Sequence, residues 1–153
     1  MNLWRMQVIC AGILVVIAMG VGSAFGQAPV QAQDAAQYKP QFPGDPARSE
    51  AEAQALGYMR TLLRAQRAYK KRHDKYADSL AALAGTGSFT KRLAATTERG
   101  NYTVSFRKHK DGFVLTLTPN HMDSEHRSFY AEDDLIIHAD DQKAADADSP
   151  KVK

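Results

Sequence analysis

Histidines, acids and hydroxyls are the side chains of this chain that could do chemistry, and their spacing argues against most of it. Of His73, His109, His121, His126 and His138, only His121 and His126 lie close together, with Asp123 and Glu125 between them. Two imidazoles five residues apart in a loop can reach one metal ion, but a closed site needs further fixed ligands. No third is evident, so the cluster reads as a solvated turn. Glu132, Asp133 and Asp134 are consecutive. Calcium takes six to eight oxygens, and three acids in a tight turn supply too few. Ser79 and Ser128 have no histidine at meaningful spacing, and the single cysteine, Cys10, lies in the apolar N-terminal segment. No activated nucleophile and no glycine-rich phosphate loop emerges. The expectation is a protein that is not an enzyme and uses no cofactor or metal.

The charge that stands out is basic and ordered. Arg60, Arg64, Arg67 and Lys71 recur at spacings of four, three and four, which is one line along a helix. They belong to a larger asymmetry. Residues 48–110 hold 14 basic against 5 acidic side chains, a net +9, and residues 111–153 hold 4 against 10, a net −6. Such a split marks a surface that meets opposite charge, on a partner or on the other end of the same chain. The line is either a solvated helix edge screened by the acidic C-terminus or a contact surface.

The N-terminus says where this surface works. Arg5 is the only charged side chain before Asp34, and between them runs an apolar stretch that ends in small residues, Gly22, Ser23, Ala24, Phe25 and Gly26. A basic start, an apolar core and small residues at the −3 and −1 positions make an export signal, residues 1–26. Cleavage falls after Gly26 or after Ala24. The strongly apolar part is shorter than the roughly 20 residues of a spanning helix, though a retained anchor is the other reading. In both cases the working part lies outside the cytoplasm, periplasmic or extracellular, or held at the inner membrane if the segment is uncleaved. Nucleic acid is not an expected partner, and the membrane is one only in the uncleaved case. A mature chain without cysteine has no disulfide, so packing must stabilise it.

The elements that position these residues follow in order. Residues 27–46 carry Pro29, Pro40, Pro43 and Pro46 among Gln, Ala and Asp, the composition of a semi-rigid spacer. Tyr38 and Phe42 lie in it, either isolated or docked. A helix is expected over 47–72, ending near His73 and Asp74. Its cap is Ser49, with Glu50 and Glu52 at the positive end, or else Asp45 with Pro46 first in the helix. At about 100° per residue, Ala55, Leu56, Tyr58, Met59, Leu62, Leu63, Ala65, Gln66 and Tyr69 share one half of the wheel, wide enough to expect a sheet against it. Gly57 falls on the opposite side and is read as permitting a close approach. A short helix is expected over 78–84, capped by Asp78 and stopped by Gly85. The period then changes to two. Residues 102–107 and 113–118 alternate around an Asp-Gly hairpin turn at Lys110, Asp111 and Gly112, with Pro119 ending the second strand. Residues 128–131 and 135–138 flank the acidic turn. The fold class expected is α+β, a long amphipathic N-terminal helix packed on a three- to four-stranded antiparallel meander, over residues 47–139. Residues 140–153, rich in Ala, Asp and Lys, are expected to be a disordered acidic tail.

Ala65, Gln66, Arg67, Ala68 and Tyr69, then Tyr76, then Leu80, Ala81, Ala82 and Leu83 form an order similar to that following the long helix of type IV pilins and type II secretion pseudopilins. There an Ala-x-x-x-Tyr helix end leads to a second tyrosine and a Leu-x-x-Leu turn. Gly100, Asn101 and Tyr102, Gly112 and Phe113, and the run from Arg127 to Tyr130 resemble the meander of the same proteins. The likeness covers residues 56–137. The family's Phe-Thr-Leu-Ile-Glu segment and its unbroken membrane helix are not here, so the resemblance implies a pilin-like head domain, not a filament subunit. It implies non-enzymatic work by protein contact in the bacterial cell envelope or secretion machinery, with envelope or secretion-system proteins as partners. The alternative is a periplasmic binding module for a small or anionic ligand.

Overall fold

The computed structural model describes residues 38–153. The expected export signal, and the spacer up to residue 37, lie outside the described residues. Among the described residues no helix is long and apolar enough to cross a membrane.

Ser49 starts the first helix. Its backbone is extended, and its hydroxyl accepts the Glu52 N–H at 3.2 Å, so α1 runs Glu50–His73. Asp74 ends it in the left-handed conformation, φ 55°, its N–H returned to the Lys70 carbonyl. Asp45 does not cap this helix. Its carboxylate instead accepts the Tyr38 hydroxyl and the Gln41 and Ala47 amides. Residues 38–46 are therefore a folded lead-in and not free spacer, and Tyr38 packs against the core.

Two short helices follow. α2, Leu80–Leu83, is capped by Ser79, not Asp78, through the Ala82 amide, and α3, Lys91–Ala95, is capped by Thr90. The strands are β1 (Glu98–Arg99), β2 (Tyr102–His109), β3 (Gly112–Pro119), β4 (Ser128–Glu132) and β5 (Ile137–Asp140). They form one antiparallel sheet in sequential order. The two-residue turn between paired His109 and Gly112 places Lys110 at φ 50°, the positive angle that tight hairpins demand. β3, in the middle, is the most buried strand, with Phe113, Val114, Leu115 and Leu117 all inside.

The expected architecture needs correction. The sheet has five strands, not three or four: the two-residue β1 extends one edge, and β5 begins two residues later than expected because Leu135, at φ 62°, prolongs the acidic turn. The expected pilin-like arrangement, a long N-terminal helix laid on a short meander, is not what forms. α1 starts only at Glu50, and its backbone runs close to that of α2. What unites the described residues is one side-chain cluster drawing on α1 (Leu56, Met59, Leu62, Leu63), on Leu83 and Phe89, and on Tyr102, Leu115, Leu117 and Phe129 of the strands.

The acidic tail is a second correction. Residues 140–153 are docked beside β5. The Ala139 amide donates to the Pro150 carbonyl at 2.9 Å and the Val152 amide to the Ile137 carbonyl at 2.8 Å. Nδ1 of the buried His138 lies 2.6 Å from the Ser149 carbonyl. The buried Ser128 hydroxyl bonds the Lys143 carbonyl and the Ala145 amide. A polar composition alone suggested disorder, but a strand edge offers backbone partners that composition does not reveal. The domain therefore extends at least over residues 38–153.

Candidate functional site

α1 carries the basic line as a ridge. Arg64, Arg67 and Lys71 are exposed and Arg60 is half-buried, and at 1.5 Å per residue the four span about 16 Å. The Arg60 guanidinium sits over the ring of Phe42, 5.8 Å from its centroid. Among the described residues Phe42 is one of two large apolar side chains that remain exposed, at 46%. Arg64 donates through Nε to the Arg60 carbonyl at 3.2 Å. Among the described residues none of the four lies within 4.0 Å of a carboxylate. Lys70 and Arg72 extend the basic surface, and Lys70 Nζ stands 4.3 Å from the Tyr76 ring centroid.

Several of the acids that might have screened this ridge are engaged elsewhere. Asp141 pairs with Arg48 at 3.1 Å and Asp146 with Lys143 at 2.8 Å. Lys143 and Ser149 together hold the Asp146 carboxyl down to about 2, and the Gln142 and Lys143 amides lower that of Asp140. In the acidic turn, Glu132 accepts the Tyr130 hydroxyl and Asp134 accepts the Ile136 amide. Burial, aided by Glu132, pushes the Tyr130 phenol up to about 12.

The other charged constellation is closed. Glu52 is fully buried, and its two oxygens take Arg127 Nε at 3.0 Å, Arg127 Nη2 at 2.8 Å, the Arg127 amide at 2.8 Å and the Arg48 amide at 2.9 Å. Arg127 also donates to the Pro46 carbonyl at 2.7 Å. With both Glu52 oxygens doubly bonded and the Arg127 Nε and Nη2 donors engaged, this fork-to-fork pair is architecture. It clamps the first turn of α1 to the entrance of β4. The sequence showed Glu52 only as an acid near a helix N-terminus.

The remaining candidates also resolve into structure. His121, Asp123 and His126 border one hollow, and His126 Nδ1 lies 2.9 Å from Asp123 Oδ1. Among the described residues no group of three or more His, Cys, Asp or Glu side chains could hold a metal ion. The Ser79 and Ser128 hydroxyls bond only backbone groups. Gln66, buried in α1, grips the chain after the helix by bonding both the amide and the carbonyl of Ala77 at 2.9 and 3.1 Å. Gly57 makes no close approach, since a Cβ there would meet nothing within 4 Å.

What sequence reasoning missed is a hollow beside the middle of the ridge. Thr61, Arg64 and Ala65 of α1 and Gly87 and Ser88 of the turn before α3 enclose about 230 Å³. Glycine at 85 and 87 was the available signal, marking a tight reversal that faces the helix. The site thus assembled is a basic ridge with an aromatic at one end and a small hollow at its centre. No family model, curated protein or solved structure matches this chain significantly.

Proposed function

We propose that this chain is a non-enzymatic exported domain that works by docking an acidic protein surface in the bacterial cell envelope or secretion machinery, through the ridge of Arg60, Arg64, Arg67 and Lys71. One observation carries the reading. Among the described residues none of the four ridge cations lies within 4.0 Å of a carboxylate, Arg60 alone feeling the more distant Asp45, whereas the other charged clusters are bonded to their own surroundings. Four cations on one helix line raise the local potential and steer an oppositely charged partner. Export rests on the basic start, apolar core and small residues of positions 1–26. Assignment to a pilus or secretion assembly rests on the order of the motifs from Ala65 to Leu83.

The test is binding of the chain to an acetylated hexaglutamate peptide at two ionic strengths. Screening shortens from about 30 Å at 0.01 M salt to about 10 Å at 0.1 M, so affinity should fall steeply between them. No binding at the lower salt, or binding indifferent to salt, would refute the proposal.

A further inference from the structure

We infer that the hollow beside Arg64 is a carboxylate pocket that receives one aspartate or glutamate side chain of the docked partner; this rests on the docking proposal and gives it an anchor. The hollow is built on fixed walls. On one side Arg64, at the centre of the ridge, is flanked by Thr61 and Ala65. On the other, the turn from Gly85 to Phe89 is closed by two backbone bonds, Gly85 amide to Phe89 carbonyl at 2.8 Å and Phe89 amide to Thr86 carbonyl at 3.1 Å. Phe89 and Thr86 are buried, and the Phe89 ring lies 5.9 Å from that of Tyr58. The turn is therefore tethered to the core at both ends of its tip.

The tip itself is left with donors. The Gly87 and Ser88 amides and the Ser88 hydroxyl make no hydrogen bond among the described residues. Gly87 has φ 57°, and a Cβ on it would meet nothing within 4 Å, so the space before the turn is open. Successive backbone N–H groups in such a turn favour an anion, and a guanidinium offers a planar two-pronged donor that matches a carboxylate. Thr61 and Ala65 give small, partly apolar walls for the methylenes that carry it. At about 230 Å³ the hollow falls below the roughly 300–1,000 Å³ of small-molecule sites. It suits a single side chain.

The experiment is a 15N NMR titration of the chain with acetylated hexaglutamate, with inorganic phosphate and phosphatidylglycerol vesicles as parallel arms. The Gly87 and Ser88 amide signals should shift saturably with the peptide and share one dissociation constant. Arg64→Lys keeps the charge but loses the fork, and should weaken the peptide on the order of tenfold; Arg67→Lys should change it by less than about twofold. Peptide binding that leaves Gly87 and Ser88 unmoved and is equally insensitive to both lysine variants would overturn the pocket while the ridge still docks acid. Saturation of the same two amides by phosphate at equal or lower concentration would replace carboxylate by phosphate as the ligand. Vesicle binding without peptide binding would overturn the pocket and the acidic-protein partner together.

Discussion

Arg127 and Arg64 are the same kind of side chain put to opposite uses. Arg127 is largely buried and meets Glu52 by two prongs, a backbone carbonyl by a third contact, and the Phe129 ring at 5.7 Å. Arg64 stands in solvent, bonded only to the carbonyl one turn back. Taking a guanidinium out of water is costly unless its charge is met, and around Arg127 the fold supplies a buried carboxylate and a carbonyl. Around the ridge it places no carboxylate within 4.0 Å among the described residues, although the chain carries enough acid to do so. The ionic contacts that hold this domain together and the charges it offers outward are therefore separate sets, and mutation should separate them.

The clamp should show the largest effect. Glu52→Ala strands a buried guanidinium and is expected to cost about 3–5 kcal/mol in denaturant melts. Replacing both partners, Glu52→Met with Arg127→Met, should recover most of that loss, because no uncompensated charge remains. If the single and double variants melt alike, the clamp reading of the pair is wrong.

Deleting residues 141–153 comes next. It removes several backbone and side-chain bonds to β4 and β5, each contributing about 0.5–1.5 kcal/mol, so a loss of roughly 2–4 kcal/mol is expected. A melt unchanged by the deletion would mean that the tail is not docked. Acid should loosen the same segment. The Asp146 carboxyl is depressed from 3.8 to about 2 in the folded chain, so its stabilisation is present above about 4 and is lost as pH falls toward 2. Amide protection at Ala139 and Val152 should drop over that interval faster than at Val104, in β2 on the far side of the sheet.

The smallest folding effect belongs to the ridge side of α1. Gly57→Ala adds a methyl to open space on an exposed helical position, and should raise stability by about 0.5–1 kcal/mol. A loss of stability would show that this face is covered.

Which of these features the sequence disclosed follows from how local each one is. The end of α1 near Asp74, its apolar half and the β2–β3 hairpin were legible, because caps and period act over a few residues; Ser49 was one of two caps the residues allowed, and the hairpin turn falls on Lys110 and Asp111, not on Asp111 and Gly112. The ridge was legible for the same reason. β1 was not, since two residues show no period. The Glu52–Arg127 clamp joins positions 75 apart, and nothing in either neighbourhood names the other. The docking of residues 140–153 was hidden because its hold is largely backbone bonding to a strand edge, with Val152 packed against the core and Ala145 buried. The hollow beside Arg64 needed the turn at Gly87 and Ser88 to be brought against α1, a contact between elements that neither segment encodes alone.

The central claim is that the ridge serves a partner and not the fold. The most direct measurement pairs hexaglutamate affinity with a thermal melt on the same preparation, for the wild type and for the Arg64→Glu, Arg67→Glu double variant. Both side chains are exposed and unpaired among the described residues, so stability should stay within about 0.5 kcal/mol of wild type while binding falls by more than about tenfold, which is 1.4 kcal/mol. Unchanged binding, or a variant that unfolds, would contradict the account.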